Sequence, residues 1–459
     1  MDPKQQSVVP QCNEWNIMEN NMETLPPAHD SRKNILNILN DHCIQEIFIR
    51  LRRRCEFLNV AEVCTRFQKN AINCYPSRLK KATFYNVHFP HNMHPNRVAS
   101  YLSIFGHLLK TIDLHFDNES RDTKLELRSM TPNDYFRLNH LHLITEYCGK
   151  NLIELNINAD GQSDVCCVDL NESRSSQFEV LEKLTIKGCI ITKLGLFKNL
   201  KYLHVIICEF ENCDGLANTF PNLTDVHFAV VNKSIDDSSF IDFQMKNSQI
   251  QRLGVANCRC LSSRILQNVE KRLPNLERIL YVSNEDEEEH RNNLMDVSEL
   301  KKLKELNIRF NRLEDMPNRA LIDRLADREV PIEHLYVNRF NDVEAISKLK
   351  KLRSLNIFDC SKEIAIRLIE SIPTLNTIDR VVVKQLYDVV EVLEQSKQLT
   401  RITIAANVQK MNLQSYNAIL RAAKNRVKVC LTLGCVIEVD KNIRELNKEW
   451  LLCNGIDER

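Results

Sequence analysis

Residues 181–208 read LEKLTIKGCIITKLGLFKNLKYLHVIIC, and one arrangement of apolar residues occurs in them twice. Leu181, Leu184, Ile186 and Cys189 follow one another at intervals of three, two and three, and Leu200, Leu203, Val205 and Cys208 repeat those intervals. The middle pair of each set alternates with polar residues, as the side chains of a strand buried on one face must. A strand this short cannot cover its own apolar face, so the stretch predicts a unit that stacks on copies of itself.

The copies are present. The pattern recurs at Leu152, Leu155 and Ile157; at Leu223, Val226 and Phe228; at Ile250, Leu253, Val255 and Cys258; and at Leu276, Ile279 and Tyr281. It continues at Leu303, Leu306, Ile308 and Asn311; at Ile332, Leu335 and Val337; at Leu352, Leu355, Ile357 and Cys360; and at Leu399, Ile402 and Ile404. Leu79 with Ala82 and Phe84, Leu109 with Ile112 and Leu114, and Leu375 with Ile378 are degenerate members. From Leu152 onward the first positions lie 19 to 29 residues apart, against a leucine-rich-repeat period of about 20 to 29. The expected fold class is therefore α/β: a leucine-rich-repeat solenoid, its parallel sheet curved and concave, with helical or irregular returns. The Cys or Asn that ends each motif should turn inward and satisfy backbone groups freed where the strand stops, a structural role for Cys189, Cys208, Cys258 and Cys360.

The remaining chain divides around this array. Residues 1–33 hold Pro3, Pro10, Pro26 and Pro27 and no sustained periodicity, and are expected to form a disordered tail. Residues 34–75 should form a small all-α unit. Ile44, Ile47, Phe48 and Leu51 mark one helical face, Asn40 or Asp41 is placed to cap it, and a second face follows at Leu58, Ala61, Val63, Cys64 and Phe67. Arg50, Arg52, Arg53 and Arg54 between the two faces suit a solvated helix end. The solenoid should run over 76–410, interrupted between Leu109 and Leu152, with the acidic run Glu285–Glu289 as a solvated loop. Residues 411–459 should cap its open end: a helix over 411–425, a strand over Val427–Leu433, and a helix over Asn442–Leu452 that packs Trp450.

Composition narrows the function. The chain has 459 residues, 43% of them hydrophobic, and 62 Lys plus Arg offset 61 Asp plus Glu to leave +1. That balance calls for neither nucleic acid nor a membrane as partner. The N-terminus lacks an apolar leader, and the 17 cysteines are scattered through a long chain, so reduced thiols and a cytoplasmic or nuclear address are expected. No phosphate-cradling, hydrolase-elbow or zincin motif occurs, and only 9 glycines are available for such loops. We expect no enzyme activity, no cofactor and no metal, and His204 with His227 lacks the companion ligands a metal pair needs.

Taken with the repeats, Leu39–Phe67 resembles the F-box of the F-box and leucine-rich-repeat proteins, substrate receptors of cullin-based ubiquitin ligases. Leu39 matches the opening Leu, Ile44 the second of a paired apolar set, Ile47 and Phe48 the Ile-Phe pair and Leu51 the next Leu. Leu58, Val63, Cys64, Arg66 and Phe67 match the second half. Asn40 stands where the family usually has Pro, and Cys43 where a larger aliphatic residue is common. The resemblance implies that Leu39, Ile44, Ile47, Phe48, Leu51, Leu58, Val63 and Phe67 dock on the S-phase-kinase-associated adaptor, which ties the receptor to a cullin scaffold. Ubiquitin transfer would then be promoted by proximity, with no side chain of this chain in the reaction. The alternative is a protein-interaction scaffold in which these helices only cap the solenoid, with Ile44, Ile47, Phe48 and Leu51 lying against the first repeats.

A protein substrate is expected on the concave sheet face, at positions between the inward apolar residues: Tyr202, His204, His227, Arg309, Tyr336, Asn338 and Phe358, with Arg252, Arg278, Asn307, His334 and Asn356 beside them. Aromatic residues and Arg on an open sheet are the types that dominate binding hot spots.

Overall fold

The computed structural model describes residues 39–85, 95–116, 141–159, 166–211, 216–231, 235–283, 293–310, 318–338, 342–406, 410–411, 413–423, 428–433, 438–439 and 451–454. The expected N-terminal tail, the acidic run Glu285–Glu289, Asn311 and Trp450 lie outside these residues.

Three short helices open the described chain: α1 (Asp41–Ile49), α2 (Arg54–Ala61) and α3 (Thr65–Asn73). Asn40 caps α1, its side-chain oxygen accepting the Cys43 N–H at 2.8 Å. The arginines that follow are spent on the turn into α2. Glu56 accepts the backbone N–H groups of Arg53 at 2.9 Å and Arg52 at 2.8 Å, bonds that hold its carboxyl below the ordinary 4.5. The Arg54 guanidinium reaches the carbonyl of Lys81 on the first strand. α1 packs on α3, with Phe48 edge-on to Phe67 at 5.6 Å between ring centroids. α2 and α3 pack in turn on α4 (Pro95–Phe105), the first return helix. There Tyr75 stacks on Phe105 at 5.0 Å, Phe57 meets both rings, and Arg97 bonds Asn59 at 2.7 Å and Glu62 at 2.8 Å.

Beyond this junction lies a parallel sheet of fifteen strands whose order in space is their order in the chain. The expected strand of every repeat is present. In register, the buried residues Ala82, Ile112, Leu155, Leu184, Leu203, Val226, Leu253, Ile279, Leu306, Leu335, Leu355, Ile378 and Ile402 make one unbroken ladder. The repeating Leu thus becomes a continuous spine, the one-dimensional core of a solenoid. Returns vary in form: helices such as Asp237–Lys246, Lys362–Ser371 and Leu386–Gln395 fill some, while the return before Arg278–Ser283 holds the 3-10 turn Ser263–Leu266 and the short helix Val269–Arg272. Phe240 and Phe243 of one return meet Phe228 of its strand at 5.4 and 6.4 Å. Helices about 10 Å across stacked behind strands about 4.8 Å apart bend such an array toward the sheet.

The motif cysteines turn inward as expected. Cys208 donates to Ile186 O at 3.4 Å and Ile206 O at 3.3 Å, Cys258 to Phe228 O at 3.5 Å, and Cys189 to Lys187 O at 3.3 Å. Burial pushes the Cys360 thiol up to about 12.

Two features differ from the sequence expectation. Cys166–Leu170, Cys189–Leu194 and Glu209–Phe210 form a second, three-stranded parallel sheet, so these returns are strands where helices or irregular turns were expected. At the C-terminus the helix Leu413–Ala423 and the strand Lys428–Leu433 are present, but Leu451–Asn454 is a strand pairing with Lys428–Leu433 where a helix was expected to extend. The apolar run there fits either period, and the open sheet edge supplies the partner that decides it.

Candidate functional site

Two surfaces carry the residues singled out by sequence. The first is the outer side of the helical unit. The sequence treats Ile44, Ile47, Phe48 and Leu51 as one outward face, and the structure divides it. Ile44 and Phe48 each have 1% of their surface exposed and face α3. Spaced four apart, they lie one turn above the other on the side of α1 that a three-helix unit must bury. Leu58 is likewise core, and Leu39, Leu51 and Phe67 are half-buried against it. Ile47 is 49% exposed, and Ile49 and Val63 are exposed as well. Cys43, one turn before Ile47, and Cys64, next to Val63, are exposed thiols. Ile49 is the residue the sequence reading missed, because the family pattern has no position for it.

The second surface is the open sheet face. The strands that carry them alternate buried with half-buried residues, so Tyr202, His204, His227, Arg309 and Tyr336 all stand on that face. Asn338 and Phe358 are register partners on neighbouring strands, and their side chains lie outside those described.

Charges on this face are organised across strands. Lys81 meets Asp113 at 2.8 Å, Asn156 bridges Asp113 and Glu154, and Lys183 meets Glu154 at 2.7 Å. Asp225 takes His204 at 3.3 Å and Arg252 at 3.2 Å, while the Arg252 guanidinium lies over the Tyr202 ring at 5.6 Å. His204 and His227 stand edge to face at 5.6 Å. His227 rests over Gly254, where an added Cβ would fall 2.4 Å from the ring, and its Nε2 has no hydrogen-bond partner among the described residues. Burial first, then the neighbouring His204, lowers its pKa. Further along, Arg309 bonds Asn307 at 3.0 Å and covers Tyr336 at 5.8 Å. The structure therefore gathers the sequence-chosen residues into two groups, Tyr202–His204–His227 with Asp225 and Arg252, and Arg309–Tyr336 with Asn307.

No protein-family model matches the sequence, and no curated protein matches it. Among solved structures it is similar to an internalin from Listeria monocytogenes, at 10% identity over 86% of this chain and 98% of that one, with a TM-score of 0.38. It is similar to the yeast Rad7 and Elc1 complex at 11% identity, 90% and 92% coverage and a TM-score of 0.41. A leucine-rich-repeat protein of Leptospira interrogans matches at 14% identity, 76% and 98% coverage and a TM-score of 0.29. Likenesses this distant carry no argument. By its own fifteen-stranded parallel sheet and buried repeat ladder, the chain has the fold of a leucine-rich-repeat solenoid.

On the sheet face Asp113, Glu154 and Asp225 are bonded to Lys81, Lys183, His204 and Arg252, and no cluster of three His, Cys, Asp or Glu among the described residues could hold a metal. Nor is any helix among them long and apolar enough to cross a membrane. What the face offers is Arg-covered aromatic rings with fixed orientation, the equipment of a protein-binding surface.

Proposed function

We propose that this protein is a non-catalytic substrate receptor of a cullin-based ubiquitin ligase, with the helical unit as an F-box that docks on the S-phase-kinase-associated adaptor and the repeats presenting a protein substrate. The observation that carries this reading is the division of labour within the helical unit. α2 and α3 pack on α4, while α1 packs on α3 with Ile44 and Phe48 buried and leaves Ile47 49% exposed, Ile49 and Val63 being exposed as well. The adaptor interface in this reading is Ile47, Ile49 and Val63, supported at its rim by Leu39 and Leu51, with Ile44, Phe48, Leu58 and Phe67 acting from beneath by holding α1 in place.

The test is co-purification of the full chain with the purified adaptor, beside an Ile47→Asp variant. Covering the exposed half of Ile47 is worth about 1 kcal/mol, and an unpaired carboxylate in a dry interface costs several more. The native chain is expected to retain the adaptor and the variant to bind more than about a hundredfold more weakly. A folded native chain that retains no adaptor refutes the reading and leaves the cap-only scaffold.

A further inference from the structure

At the end of four successive strands the chain passes through the left-handed backbone region: Gly188 at φ 71°, Ile207 at 53°, Val230 at 52° and Asn257 at 52°. The geometry is imposed by the stack. Each of these residues donates its N–H to a carbonyl of the next strand: Gly188 to Ile206 at 2.9 Å, Ile207 to Ala229 at 2.7 Å, Val230 to Ala256 at 2.7 Å and Asn257 to Val282 at 2.7 Å. Gly and Asn are the residues that tolerate this conformation, whereas a β-branched side chain there is an outlier. Neither Ile207 nor Val230 recovers that strain by burial in its own chain, because they are 46% and 36% exposed.

The two follow at once on an apolar row of the sheet face. Ile206, Ala229, Ala256 and Val282 are register partners on four adjacent strands, all half-buried. The two Ala make a shallow dip between the larger Ile206 and Val282. The same row continues to Lys187 on one side and Arg309 on the other. Among the described residues neither cation is paired with a carboxylate.

We propose that this shelf docks a short extended peptide segment with an aliphatic centre and acidic ends, Ile207 and Val230 being its anchors and Lys187 and Arg309 its charge clamps. The proposal deepens the reading of the repeats as the partner-binding part and rests on that part alone, not on the adaptor interface. Length and charge define the occupant. Lys187 to Arg309 spans five strand intervals, about 24 Å at about 4.8 Å each, which an extended chain crosses in about seven residues. Cations at both ends and none between them complement a segment with the opposite layout.

The experiment measures fluorescence anisotropy of a labelled peptide, Asp-Glu-Leu-Ala-Leu-Glu-Asp, with the full chain. Saturable binding is expected. In the Ile207→Asn, Val230→Asn variant, which places at both positions the residue already found at Asn257, binding should weaken at least about tenfold while the thermal midpoint holds or rises. Reversal of the clamps by Lys187→Glu with Arg309→Glu should transfer preference to Lys-Arg-Leu-Ala-Leu-Arg-Lys. Absence of binding to the native chain overturns the proposal, as does equal binding by the Asn variant. A fall in its thermal midpoint overturns it too, because the aliphatic side chains would then serve the fold. Binding that emerges only when the Glu285–Glu289 run is neutralised would make the chain's own acidic segment the occupant and would also overturn it. Adaptor retention measured on the same preparations separates the two readings: peptide binding without adaptor sinks the receptor, and adaptor without peptide binding sinks the shelf.

Discussion

Replacing Phe48 and Ile47 one at a time should separate two jobs that a single helix does. Phe48 has 1% of its surface exposed and lies edge-on to Phe67 at 5.6 Å, so Phe48→Ala removes a ring from the centre of a unit built of helices no longer than nine residues. A buried Phe→Ala truncation costs about 3–5 kcal/mol, part of it the aromatic pair itself. Ile47 is already half in water, and Ile47→Ala should cost about 1 kcal/mol or less. Nine-residue helices do not persist in water without packing. The loss of Phe48 should therefore appear as local opening of α1, not as unfolding of the solenoid, whose copies depend chiefly on their neighbours. Native-state amide exchange reads this directly. Amides of residues 41–49 should lose protection by about two to three orders of magnitude in Phe48→Ala and stay within about tenfold of native in Ile47→Ala, with the strand Tyr202–Ile206 unchanged in both. Equal exchange in the two variants would refute the assignment of Phe48 to the core. It would also remove the reason for narrowing the adaptor face to Ile47, Ile49 and Val63.

Gly188→Ala should be far more damaging than its size suggests. At φ 71° a Cβ would fall 1.9 Å from the carbonyl oxygen of Ala159, a backbone atom that cannot swing away, so left-handed strain of about 1–2 kcal/mol adds to about 1–3 kcal/mol of overpacking. Urea denaturation should show the loss, and a change below about 0.5 kcal/mol would contradict the register between Glu154–Ala159 and Lys183–Lys187. Thiol alkylation should sort the cysteines by position. Cys43 and Cys64 are exposed, whereas burial alone pushes Cys148 up to about 12. Iodoacetamide at pH 8 should label the first two in the native chain and Cys148 only on unfolding, and adaptor binding should protect Cys43 and Cys64. Labelling unchanged by a bound adaptor would place the interface elsewhere.

What could be read in advance follows from which physical signals are local. Leu184 and Ile186 announce a strand because alternation is written within five residues, and the ladder from Ala82 to Ile402 exists because that five-residue signal returns at nearly constant spacing. Asn40 as a cap was legible for the same reason, its partner lying three residues away. The second sheet was not, since Glu209–Phe210 is two residues long and forms only because Ile190 and Ile191 stand beside it. The strand Leu451–Asn454 likewise depends on an edge that only the finished stack provides.

The candidate sites were legible to a different depth. Apolar spacing identifies a face of α1 but carries no information on whether the face meets the protein's own α3 or something outside it, and in fact Ile44 and Phe48 meet α3 while Ile47 stays half in solvent. On the sheet face the sequence search favoured Arg and aromatic residues, and so passed over Ile207 and Val230, whose residue types are ordinary and whose backbone angles are not. Propensity would never place a β-branched residue in the left-handed region. The hydrogen bonds at 2.7 Å to Ala229 and Ala256 place them there, because a stack that fixes one N–H per copy fixes the angle of whatever residue occupies the position. Strain of that kind is a property of the assembled solenoid. Where it coincides with solvent exposure, it marks side chains that the fold itself does not need, and those are the side chains through which a partner gains affinity without the fold losing stability.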